Sequence, residues 1–118
     1  MDAATLATAL ILLMNASRAD VHVPPLQGDP ALQARAQARA EMLCANRQFT
    51  HDGYELAYRG LGYGWKGENL ARAYSDPPSI HGQLMASPGH RDNILRREFN
   101  FVGIGSACNI TVELFGGR

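Results

Sequence analysis

The sequence has almost no lysine, few cysteines and no excess of charge of either sign. Its eleven basic residues balance eleven acidic ones. A net charge of zero removes the electrostatic footprint that capture by nucleic acid or an anionic membrane requires. The basic residues are nearly all arginine, with Lys66 the one lysine, and no function follows from that. The two cysteines, Cys44 and Cys108, lack C-x-x-C spacing, which argues against a zinc knuckle. H-E-x-x-H is absent, which removes the standard zincin helix. The apolar run from Leu6 to Met14 is too short to span a bilayer. It follows an acidic Asp2 rather than the basic start of an export signal. There is no internal repeat, low-complexity tract or linker. The 118 residues, 1–118, therefore read as a single domain. That length supports one core but gains from a covalent staple.

The apolar fraction of 46% is that of an ordinary globular protein. Leu6, Leu10, Leu13 and Ser17 fall at helical spacing and predict an amphipathic helix from about Ala3 to Ser17. Ser17-Arg18-Ala19 has the small residues of a cleavage site, yet reads as part of the domain, with any export signal removed. Val23-Pro24-Pro25-Leu26 must be extended. Asp29-Pro30 restarts a helix that runs to near Arg47. Leu32, Ala36, Ala40, Leu43 and Cys44 form its apolar face, and the arginines fall off that face. A short helical piece follows around Tyr54 to Arg59. Gly60, Gly62, Gly64 and Gly67 then imply a loop rather than a regular strand. They do not match a phosphate-binding pattern. Ser79 to Ala86 reads as a helix. Ser87 caps a further short helix, with Pro88 at its first position. Phe99–Ala107 and Ile110–Phe115 predict an antiparallel hairpin. Gly103 and Gly105 share one face of it, where another element can press close. Helices first and a hairpin last predict an α+β sandwich.

Three polar stretches carry the chemistry: Phe49-Thr50-His51, Gly67-Glu68-Asn69, and the run from Ser87 to Leu95. His90 lies in the first turn of its helix, where the dipole disfavours a protonated ring. A neutral imidazole suits a metal ligand or a hydrogen-bond acceptor. His51, Glu68 and His90 can therefore meet in one cleft and hold zinc with an open position for water. The alternative is a polar network in which Glu68 accepts hydrogen bonds and locks the fold. A serine nucleophile at Ser87 is disfavoured, because a capping oxygen is already engaged with backbone N–H. His22 and His81 read as surface or loop residues. Tyr54, Tyr58, Tyr63 and Trp65 read as core and cleft wall. The loop from Gly60 to Gly67 offers an apolar groove through Tyr63 and Trp65. Cys44 and Cys108 form a disulfide if the protein is secreted, worth roughly 4 kcal/mol. In a cytosolic protein they are two buried thiols. Asn15-Ala16-Ser17 and Asn109-Ile110-Thr111 match a glycosylation pattern that is common by chance.

Several pieces recur here in a familiar order. They are Leu13-Met14-Asn15-Ala16-Ser17-Arg18, Pro24-Pro25-Leu26 with Asp29-Pro30-Ala31-Leu32, Phe49-Thr50-His51 and Gly67-Glu68-Asn69-Leu70. Ser87-Pro88-Gly89-His90-Arg91-Asp92-Asn93-Ile94-Leu95 and Phe101-Val102-Gly103-Ile104-Gly105 complete the set. With these the chain resembles the CAP superfamily (cysteine-rich secretory proteins, antigen 5 and plant pathogenesis-related proteins), also called the SCP domain, in its bacterial secreted branch. The resemblance implies a three-layer α-β-α sandwich ending in a β-hairpin. It also implies a cleft of two histidines and one or two glutamates, which binds a divalent metal in some members. His51, Glu68 and His90 match those positions, with zinc the fitting ion. Two departures stand out. Leu84 sits where a tryptophan often precedes the Ser-Pro-Gly-His motif, and the second glutamate has no counterpart, Ser87 falling about there. The family is mostly extracellular, which favours the Cys44–Cys108 disulfide and a secreted or cell-envelope location. Some members bind sterols or fatty acids, so a lipid or cell-envelope ligand is the expected partner, without nucleic acid or membrane insertion. The implied function is a non-catalytic binding module; the alternative is a metal-dependent, peptidase-like hydrolase using the same cleft.

Overall fold

Capping side chains set three of the four helix starts. The computed structural model describes residues 1–118. Asp2 accepts from the Thr5 N–H at 2.8 Å and opens α1 (Ala3–Asp20). Asp29 accepts from the Ala31 N–H at 3.0 Å and opens α2 (Pro30–Ala45). Asp76 does the same through the Ser79 N–H for α3 (Pro77–Met85). Here the fourth start differs from expectation. Ser87 precedes α4 (Pro88–Leu95), but its hydroxyl makes no capping bond. Pro88 presets the helical φ and has no N–H to satisfy, so the helix begins without one.

Four strands form one sheet: β1 (Gln27–Gly28), β2 (Trp65–Arg72), β3 (Phe101–Ala107) and β4 (Ile110–Gly117). Their order is β1-β3-β4-β2, antiparallel except for β1 on β3. The hairpin is the expected one. Cys108 and Asn109 turn it with φ of 53° and 57°, the left-handed pair that matches strand twist in a two-residue loop. Strand β2 is a correction to the loop expected through Gly67. It lies along the whole of β4, from Trp65 opposite Gly117 to Arg72 opposite Ile110. Gly67 serves packing rather than a turn, since a Cβ there would stand 2.8 Å from the Phe99 ring.

The sheet is covered on both faces, giving the three-layer α-β-α sandwich. On one face α2 packs Leu32, Ala36, Ala40 and Leu43 against Leu70, Val112 and Leu114. It lies so close that a Cβ on Gly103 or Gly105 would overlap its backbone. On the other face α1, α3 and α4 bury Leu10, Met14, Ile80 and Ile94 against Phe99 and Phe115. The stripe of α1 runs through Leu6, Leu10, Met14 and Arg18 instead of Leu13 and Ser17. Arg18 is wholly buried, and donates to the carbonyls of Pro24, Ile94, Arg96 and Phe99 at 2.7–3.0 Å. Arg39 is buried too, against the expectation that α2 turns its arginines outward. It stands seven residues after Leu32, on the buried stripe itself.

His81 corrects another expectation. It is buried where α3 meets α1, its Nε2 sharing a 2.8 Å hydrogen bond with Ser17. The Asn15 amide is committed to the backbone of Leu26, pinning the proline loop to α1. Cys44 and Cys108 are joined as a disulfide across 64 residues, tying the end of α2 to the hairpin turn. No helix is long and apolar enough to cross a membrane.

Candidate functional site

The site is built around β2, an edge strand whose alternating side chains serve both faces of the sheet. Gly67 receives the Phe99 ring. Glu68 points toward α2 and Asn69 toward α4. The 3-10 turn at Tyr54–Tyr58 closes over the strand, with the Tyr58 hydroxyl 2.8 Å from the Gly67 carbonyl and 2.6 Å from that of Phe115.

Glu68 is the centre. Its side chain is 0% exposed, against 56% for that of His51. Arg39 grips the carboxylate as a fork, Nε on Oε2 and Nη2 on Oε1, the latter at 3.1 Å. This bidentate, charge-assisted geometry offsets the desolvation of both ions. The same guanidinium donates to the Thr50 carbonyl at 2.9 Å and reaches the Asp52 carbonyl at 3.5 Å. His51, between those two residues, brings Nδ1 within 2.9 Å of Glu68 Oε1. With Nδ1 donating its proton to the carboxylate, Nε2 keeps its lone pair.

His90 is fastened through its backbone. Its carbonyl accepts from Asn69 Nδ2 at 3.1 Å. Asn93, on the same helix, donates to Asn69 Oδ1 at 2.9 Å. Burial first, and then the neighbouring His51, hold the His90 ring below the usual imidazole range. Opposite Asn69, on the same face of the sheet, lies Glu113, which is fully buried. One of its oxygens accepts from Asn69 Nδ2 at 3.2 Å and the other has no partner. Burial pushes its carboxyl up to about 7.

The structure thus joins His51 to Glu68 directly, whereas His90 is tied to the strand through its backbone carbonyl. As a set of metal ligands the three residues do not fit. No three His, Cys, Asp or Glu side chains are placed to hold an ion. Both oxygens of Glu68, the one carboxylate of the set, carry donors from Arg39, and one also carries His51. Sequence reasoning missed Arg39 and Glu113. The position of Arg39 on a buried helical stripe was a signal available for the first. For the second, the alternation that buries Glu113 beside Asn69 depends on pairing with the unrecognised strand β2.

Nor does the expected apolar groove form in the 60–67 loop. Tyr63 is buried, with its hydroxyl on Asp29 and its ring 5.8 Å from that of Phe101. Trp65 is exposed beneath Arg96. The structure has four cavities, and neither residue lines any of them. The cavity that Arg39 borders measures about 450 Å³ and opens between α2 and the 3-10 turn, with Arg35, Met42, Asp52 and Leu56 on its walls.

Comparison with known proteins follows the same lines. The chain is 30% identical to the protein YkwD of Bacillus subtilis over 92% of its length. An extracellular protein of Bacillus anthracis containing an SCP domain superposes over 98% of the chain, with a TM-score of 0.91 and 25% identity. An outer surface protein of Borrelia burgdorferi shares the fold over 94% of the chain and 91% of its own, with a TM-score of 0.83 and 21% identity. The chain spans 46% and 41% of the two Bacillus proteins, less than half of each. The model of the CAP family, the cysteine-rich secretory proteins, matches residues 11–111. With that match covering most of the chain and running through His51, Glu68 and His90, the chain belongs to the CAP family.

Proposed function

We propose that this chain is a secreted, non-catalytic binding domain whose Glu68 holds α2, β2 and the His51 segment together instead of acting on a substrate. The observation that carries the proposal is the full engagement of a carboxylate screened from water. A general base or a metal ligand needs an oxygen free to take a proton or an ion. Secretion is supported by the disulfide, which persists in oxidising compartments. It is supported also by the description of the similar Bacillus anthracis protein as extracellular. The ligand is small and amphipathic, of sterol or fatty-acid type. It takes the cavity between α2 and the 3-10 turn, where exposed Met42 and Leu56 offer apolar surface beside Arg35 and Asp52. Titration with a fluorescent fatty acid or sterol should saturate, and Met42→Glu/Leu56→Glu should weaken binding at least tenfold. A signal that never saturates removes this ligand class.

The second reading is metal-dependent hydrolysis at His51 and His90. It requires His51 and His90 to take an ion without Glu68, because both oxygens of that carboxylate already carry donors. Peptide, ester and peptidoglycan substrates with added zinc test it. Turnover that disappears in His51→Ala/His90→Ala would establish this reading in place of the first.

A further inference from the structure

A buried carboxylate needs a cation or a proton, and in this fold the cation comes from inside the chain. We infer that Arg39 is the resident cation of the site. Its guanidinium takes the place of a metal ion, and the site becomes open to a divalent cation only when Arg39 is removed. The inference rests on the full engagement of Glu68 argued above and is independent of which ligand the domain binds.

Three features carry it. The guanidinium bonds both Glu68 oxygens, which a chelated ion would otherwise share. It ties together the segments that an ion at Glu68 would tie. Its own stem fixes α2, its fork fixes β2, and its remaining N–H groups hold the Thr50 and Asp52 carbonyls on either side of His51. The local charge is balanced, one guanidinium against one carboxylate, both buried. An added divalent ion would face the guanidinium at close range, with no three His, Cys, Asp or Glu side chains placed to hold it. Where a metal would leave the fold dependent on its supply, arginine is always charged and always present.

The test is a calorimetric zinc titration of four proteins with the disulfide intact: wild type, Glu68→Gln, Arg39→Ala, and Arg39→Ala/Glu68→Gln. Wild type should give no saturable heat at millimolar zinc. Arg39→Ala should bind at least tenfold more tightly than wild type, and the double variant should lose the gain. If Arg39→Ala alone is unfolded, millimolar zinc or methylguanidinium should refold it, as followed by near-UV circular dichroism. Micromolar zinc binding by wild type that is lost in Glu68→Gln would overturn the inference. So would a folded Arg39→Ala that ignores zinc, or an unfolded one that neither cation restores. Failure of the binding-domain reading would show elsewhere, as substrate turnover or as unsaturable lipid titration, and zinc affinity reports neither.

Discussion

Arg18 lies at the bottom of the α1 stripe with no carboxylate beside it. Its charge is satisfied by four backbone carbonyls at the end of α4 and in the loops around it. Hydrogen bonds from a charged donor are worth about 1.5–3 kcal/mol each, and orphaned buried acceptors add their own cost. Arg18→Met should therefore lose at least about 3 kcal/mol of unfolding free energy in a urea titration. A loss below about 1 kcal/mol would mean that water replaces the guanidinium without strain. Glu113 gives a pH signature. Burial raises its folded value to about 7, well above the ordinary 4.5 of the unfolded chain. The folded state keeps this proton longer, so stability falls as pH rises from about 4.5 to about 7 and is flat above. The total is about 3 kcal/mol. Glu113→Gln should abolish that slope and leave the variant more stable than wild type at pH 8. The buried His81 works in the opposite window. Burial lowers its pKa, so its neutral form costs stability as pH falls below about 6.5. Neither residue was legible as buried from sequence. A lone glutamate in an apolar strand and a lone histidine in a short helix declare their environment only once the neighbouring layers are placed.

At the scale of elements, the hairpin and the four helices were legible because caps, prolines and apolar spacing all act locally. The Asp29-Pro30 start and the Cys108-Asn109 turn are set by their own residues. Strand β2 was not legible, since its glycines look like punctuation until Phe99 is seen against Gly67. The paired glycines of β3 were legible, and their role can be tested. A methyl group on Gly103 would overlap the α2 backbone at Leu32 and Gln33, whereas one on Gly64 would meet nothing within 4 Å. Gly103→Ala should cost at least about 2 kcal/mol by chemical denaturation, in the upper range for overpacking. Gly64→Ala should stay within about 0.5 kcal/mol of wild type, as surface changes do. Equal costs would contradict the close approach of α2. The site itself was half legible. His51 and Glu68 meet as the ordered motifs implied, but the α2 contribution, Arg39, was hidden among arginines that the pattern assigned to solvent.

On the scale of the molecule, two layers of helix are held on one sheet by unlike devices. The α1 side relies on a large apolar cluster and Arg18. The α2 side has the smaller cluster, the disulfide and the Arg39–Glu68–His51 network. A thiol assay on denatured, unreduced protein should find no free thiol. Reduction should destabilise the fold by up to about 4 kcal/mol, the loop-closure value for a bridge of this span. The network is the central claim, and a double-mutant cycle on Arg39 and Glu68 by urea unfolding tests it most directly. Breaking a buried pair from one side typically costs about 3–5 kcal/mol, because the other charge is left unpaired. Arg39→Met and Glu68→Gln should each cost on that order. The double variant should cost no more than the worse single, a coupling of at least about 2 kcal/mol. Additive costs would mean that the two side chains stabilise the fold independently, and would contradict the lock.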